Sequence, residues 1–229
     1  MRKRHVARGA KMESSLIHIF EFALLTLSSV FFLVDPFAVI PQFLVITADS
    51  EPAERKRVAK RAGWTCALIL AGFALAGTLI FRIFGITLPA FKIAGGIILI
   101  QIGMDNLRAK RSSTRETPEE AAEGASKSDA GIIPLGIPML AGPAAISTVM
   151  VLIGESKAWW QHVVVYAAIL ISSLASYLIL AAANRVRGYL GETGIRILMR
   201  LMGLILVAIA VQFIVNGMSD LGLVKLKAA

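Results

Sequence analysis

One cysteine, three histidines and 15 acidic side chains are all that 229 residues offer for disulfide, metal or acid–base chemistry. The single Cys66 rules out an internal disulfide framework, and neither a second cysteine nor a His-rich pattern stands near it to form a metal site. It lies in an apolar run and reads as a packed or lipid-facing residue. His5, His18 and His162 sit near the N-terminus or at the edges of apolar runs, without carboxylate or cysteine partners at ligand spacing. No H-E-x-x-H, G-x-S-x-G, P-loop or dinucleotide-binding glycine pattern occurs, so no enzyme is expected and no cofactor is called for. Charge is scarce too: 17% of residues are charged against 56% hydrophobic, and the mean hydropathy is +0.72. That is too little polar surface to coat a soluble globule of this size. Alternating strands of about ten residues, the signature of an outer-membrane barrel, are absent as well.

Long apolar runs take their place, from Leu16 to about Thr47, then 62–84, 88–107, 132–153, 162–184 and 197–217. A bilayer core of about 30 Å takes about 20 apolar residues per helical crossing, so the chain reads as an all-α polytopic membrane protein of about six transmembrane helices. Two of these are expected to be discontinuous. The first run contains Asp35-Pro36 and Pro41, and the fourth contains Pro134, Pro138 and Gly142-Pro143; proline lacks the amide and clashes with the preceding turn. Residues 1–15 form a basic extension, and Met12 offers an alternative start to Met1 that would remove most of it. Residues 108–131 have the composition of a flexible polar linker between a first half, 16–107, and a second, 132–229.

The halves repeat. The shift that carries Asp35-Pro36 onto Gly142-Pro143 also carries Ala38 onto Ala145 and Gly96-Ile97-Ile98-Leu99 onto Gly203-Leu204-Ile205-Leu206. Three spans per half is an odd number, so the second half enters from the opposite side, giving two inverted three-helix repeats with broken first and fourth helices. Basic residues after the first span (Arg55, Lys56, Arg57, Lys60, Arg61), in the linker, and around the fifth connection (Arg185, Arg187, Arg196, Arg200) outnumber those on the other face, among them Arg82, Lys92 and Lys157. The linker is therefore expected in the cytoplasm and both termini outside. The net charge of +9 meets lipid headgroups in this reading, not nucleic acid. Trp64, Trp159 and Trp160, at run ends, read as interfacial anchors.

An ionisable residue within a membrane run costs about 2.5–3.5 kcal/mol at the helix centre, which singles out Asp35. It can cap the half-helix that starts at Pro36, bind substrate or a coupling ion, or do both. After each break the next half-helix presents amide groups and a positive dipole end, at Phe37, Ala38 and Val39 in one half and at Ala144, Ala145 and Ile146 in the other. Ser147 and Thr148 lie one turn further on and can either contact a ligand or bond their own backbone. Gly72, Ala76, Gly77, Gly95, Gly96, Gly103 and Gly203 recur at helical spacing and are expected to pack helices closely. Gln101, among them, either lines a polar cavity or bonds a neighbouring helix.

The break motifs resemble those of the MarC family of inner-membrane proteins, also described as a small neutral amino acid transporter family. Residues 35–43, Asp-Pro-Phe-Ala-Val-Ile-Pro-Gln-Phe, are similar to its D-P-x-G-x-x-P-x-F pattern; residues 134–148, Pro-Leu-Gly-Ile-Pro-Met-Leu-Ala-Gly-Pro-Ala-Ala-Ile-Ser-Thr, are similar to P-L-x-I-P-x-L-A-G-P-G-A-I-S-T. Ala38 and Ala144 depart from it, each placing a methyl where the family often has glycine. The resemblance implies a multi-pass protein of a bacterial-type plasma membrane with both termini outside. It further implies transport of glycine- or alanine-like zwitterions, driven by an ion gradient such as proton or sodium. On the reading of the breaks, Asp35, Pro36, Phe37, Ala38, Gly142, Pro143, Ala144, Ala145, Ser147, Thr148 and Gln101 are then expected around the substrate. A non-transporting scaffold or assembly component is the alternative, and homo-oligomers are compatible with either.

Overall fold

The computed structural model describes residues 2–48, 50–108 and 130–224, with side chains from residue 17 onward and excepting residue 192. The linker residues 109–129 and the last five residues, with their predicted roles, lie outside the described residues. Every regular element among those described is helical. Helix α1 (Arg2–Val34) is separated from α2 (Pro36–Ile46) by the single residue Asp35, and α3 (Pro52–Phe84) and α4 (Leu88–Leu107) follow. The second half opens with a π-helical turn, Leu135–Leu140, and continues with α5 (Pro143–Glu155), α6 (Trp159–Ala181) and α7 (Ala183–Asp220). Five stretches are long and apolar enough to cross a membrane: 17–46, 52–84, 88–107, 159–181 and 193–220; Pro143–Glu155 is a shorter apolar helix.

Several boundaries differ from the expectation because polar residues at helix ends carry no hydropathy signal yet still propagate the backbone. α1 runs back through the basic extension, and α3 begins ten residues before its apolar run, so that Arg55 to Arg61 are helical. The fifth connection is also helical: Arg185, Arg187, Arg196 and Arg200 lie on α7, which is interrupted at Gly191, whose φ of 64° and ψ of 178° leave the helical region.

Packing runs crosswise between the halves. α3 packs on α6, α4 on α7, α2 on both α6 and α7, and α5 on both α3 and α4. The shift that superposes the halves carries the α3–α6 and α4–α7 contacts onto themselves and exchanges those of α2 with those of α5. The glycines show the same exchange at atomic detail: a Cβ on Gly96 would lie 2.7 Å from the Ala210 carbonyl, and one on Gly103 would lie 3.0 Å from the Gly203 carbonyl. Gly96 corresponds to Gly203 and Gly103 to Ala210, so each contact is the image of the other, as a two-fold relation between similar surfaces requires. α4 and α7 are antiparallel along this seam, since Gly217 approaches Pro89 and Lys92 at the opposite end from Gly203 and Leu107. The expected close packing of small residues holds here, whereas a Cβ on Gly72 would meet nothing within 4 Å.

The buried centre includes Val34, Val39, Ile40, Phe43, Cys66, Leu99, Ile102, Leu140, Val149 and Leu206, while Phe20, Leu68, Leu75, Phe84, Leu174 and Leu204 point outward. A surface that apolar belongs in lipid, where it costs nothing to leave uncovered. Trp160 packs edge-on against Phe22 with ring centroids 5.3 Å apart, while Trp159 is exposed. Trp64 lies within α3, three residues after the charged stretch that ends at Arg61.

Candidate functional site

Both predicted breaks exist. Asp35 adopts φ 46° and ψ 63°, a left-handed conformation that aspartate and asparagine tolerate better than other side chains. Pro36 then starts α2 with the φ its ring already fixes. The Ala38 amide donates to Asp35 Oδ1 at 3.3 Å, so the carboxylate caps the half-helix. Its other oxygen, Oδ2, accepts from Asn106 Nδ2 at 2.8 Å. Asp35 is 1% exposed and Asn106 2% exposed, so this is a charge-assisted bond in a dry setting. Pro36 is buried, and Phe37 and Ala38 are half-buried, with the Phe37 ring edge-on to Phe31.

The second break is built differently. Gly142 has φ −81° and ψ 171°, an extended conformation open to any residue, but a Cβ there would lie 2.8 Å from the Pro138 carbonyl. Glycine is needed for close approach, not for its dihedral freedom. Pro143 starts α5, and its N-cap residue, Gly142, has no side chain to cap the helix. Ala144 and Ala145 are buried. α1 packs on α5 and α2 packs on the π turn, so each broken helix touches the far half of the other.

The remaining predicted residues separate. Ser147 is turned toward α4, where a Cβ on Gly95 would lie 3.1 Å from its own Cβ. Thr148 is 1% exposed, and its hydroxyl has no hydrogen-bond partner among the described residues. Gln101 is a correction: it is exposed on α4 and joins neither break. A helix turns about 100° per residue, and the polar side chain of α4 that reaches Asp35 is Asn106, five residues on.

Sequence reasoning missed Asn106 and Lys92. Lys92, counted as a charge of the outer face, is 5% exposed within α4; its ammonium donates to Asp220 Oδ2 at 2.7 Å and pairs with Glu155. This cluster fastens the start of α4 to the ends of α5 and α7.

A helical chain with five stretches long and apolar enough to cross a membrane, two interrupted helices and a carboxylate buried at one interruption is a multi-pass integral membrane protein. The chain belongs to the MarC family: the family's description, MarC family integral membrane protein, matches residues 20–221. A UPF0056 membrane protein of Methanocaldococcus jannaschii is 42% identical over 198 residues, covering 86% of this chain and 96% of the relative. One of Pyrococcus abyssi is 36% identical, covering 82% and 89%, and the Bacillus subtilis protein YvbG is 35% identical, covering 92% and 97%. No solved structure matches the chain.

Proposed function

We propose that the protein is a secondary transporter of small neutral zwitterions, amino acids of glycine or alanine size, by alternating access at the two breaks. The observation that carries this reading is the difference between the breaks. At α2 the helix N-terminus is already taken by the carboxylate of Asp35, so this break presents negative charge and attracts an ammonium group. At α5 no side chain caps the helix, so that break presents amides and the positive end of a helix dipole, which attracts a carboxylate. An amino acid carries both groups a few ångströms apart. The buried methyls of Ala144 and Ala145 favour a small side chain, and the Thr148 hydroxyl supplies a donor or acceptor just over one turn into α5. A proton or sodium ion drives the cycle. The basic residues of α3 and of the first part of α7 set the linker side in the cytoplasm and both termini outside.

Proteoliposomes test this. Wild type is expected to take up radiolabelled glycine or alanine when an imposed proton or sodium gradient drives it. Asp35→Asn keeps the left-handed tolerance and an acceptor for the Ala38 amide, so it should insert and fold. Losing a charge-assisted bond of about 1.5–3 kcal/mol should lower apparent affinity about tenfold or more. If wild type moves no small neutral amino acid under either gradient, while an active MarC-family protein in the same preparation does, the transporter reading fails in favour of a scaffold.

A further inference from the structure

Where α3 crosses α6 the helices come together at Gly63, whose Cβ would lie 3.0 Å from both the Ser173 carbonyl and Tyr177 Cβ. Beside this crossing lies an outward-facing groove of about 370 Å³, lined by Lys60, Trp64, Ala67, Leu170, Leu174 and Tyr177 among others. Its size falls within the range of about 300–1,000 Å³ typical of small-molecule clefts. A groove astride a two-fold crossing should have two similar ends, but these differ. The superposing shift carries Lys60 onto Ala167 and Leu70 onto Tyr177, so the polar members have no polar counterparts. Because α3 and α6 run in opposite directions, Lys60 and Tyr177 fall at the same end, toward the start of α3; Ala67 and Leu170 form the other.

Lys60 is exposed, and it forms no ion pair among the described residues. It sits one turn from the crossing, about 4.5 Å along the helix axis. From that depth a lysine extends its ammonium toward the interface while its stem stays in apolar surroundings. Lys56 and Arg57, four and three residues earlier, share its face and are exposed. The groove thus combines an apolar trough at acyl-chain depth with a cluster of cations at headgroup depth on the linker side. The Trp64 and Tyr177 side chains, whose amphipathic rings favour that boundary, stand between them.

We infer that this groove is a binding site for an anionic phospholipid of the linker-side leaflet, one acyl chain lying along Ala67, Leu170 and Leu174 and the phosphodiester held by Lys60 with Lys56 and Arg57. A zwitterionic lipid offers the same chain, but its own cation offsets the attraction. A free phosphate offers the charge without the chain. The inference is independent of the transport reading, since it uses no residue of the breaks.

The full chain, purified in a non-ionic detergent, is heated with added phosphatidylglycerol, with phosphatidylcholine of the same acyl chains, or with inorganic phosphate. Phosphatidylglycerol should raise the unfolding midpoint more than phosphatidylcholine does, and phosphate should leave it unchanged. Lys60→Gln, an exposed substitution that leaves packing intact, should remove at least half of the difference between the two lipids. Leu174→Trp, which obstructs the trough from its exposed rim, should reduce the effect of both. Equal shifts from the two lipids, a phosphate effect matching that of phosphatidylglycerol, or a full phosphatidylglycerol preference retained in Lys60→Gln would each overturn the assignment.

Discussion

Replacing Lys92 by methionine keeps the length of the side chain and removes the charge that holds three helices together. The Lys92 side chain is 7% exposed, while Glu155 and Asp220 are 47% and 44% exposed. Removing one partner of a fully buried ion pair costs about 3–5 kcal/mol, because the other charge is left buried and unpaired. Here the orphaned carboxylates already reach water and can turn toward it, which screens much of the penalty. The expected loss is therefore about 1–2 kcal/mol, with mutual repulsion of the two carboxylates as its main source. That origin predicts a rescue: Lys92→Met combined with Glu155→Gln and Asp220→Asn removes every charge and should recover most of the loss. Denaturant unfolding of the purified protein in mixed micelles measures both variants. The reasoning is refuted if Lys92→Met is as stable as wild type, or if the triple variant is less stable than Lys92→Met alone.

Gly203→Ala would place a methyl 2.7 Å from the Gly103 carbonyl and the Leu107 amide, and it should cost about 1–3 kcal/mol by overpacking the seam. Gly72→Ala meets nothing and should be neutral, or gain about 0.5–1 kcal/mol from helix propensity; equal effects in unfolding assays would contradict the packing described. Asn106→Ala leaves Asp35 Oδ2 without its buried donor and should cost about 1–3 kcal/mol. The exchanged pair, Asp35→Asn with Asn106→Asp, should restore most of that stability without restoring uptake, because the charge has moved from α2 to α4.

How much of this could be read in the sequence follows from the range of each interaction. Asp35-Pro36 and Gly142-Pro143 announce breaks because a proline acts on its own backbone and that of its neighbours. The repeat was visible because small residues must recur where helices touch. Asn106 and Lys92 were not legible as partners of Asp35 and Asp220, which lie 71 and 128 residues away. Lys92 looked like a surface charge because nothing within a few turns of it is acidic. Gln101 was misjudged for the converse reason: composition marks a helix as near a site, but only the rotation of that helix decides which side chain enters. The difference between the two caps was half visible, since Asp35 has an acceptor oxygen and Gly142 has none.

Along α4 and α7 the halves close tightly at Gly96, Gly103 and Gly203, where carbonyls of the facing helix and the Ile214 and Val207 side chains fill the space a Cβ would take. Prying these helices apart would open empty space that no rotamer could fill, whereas pivoting about the clasp leaves it intact. The short rods α2 and α5, by contrast, are each bounded at both ends by residues outside the helical region.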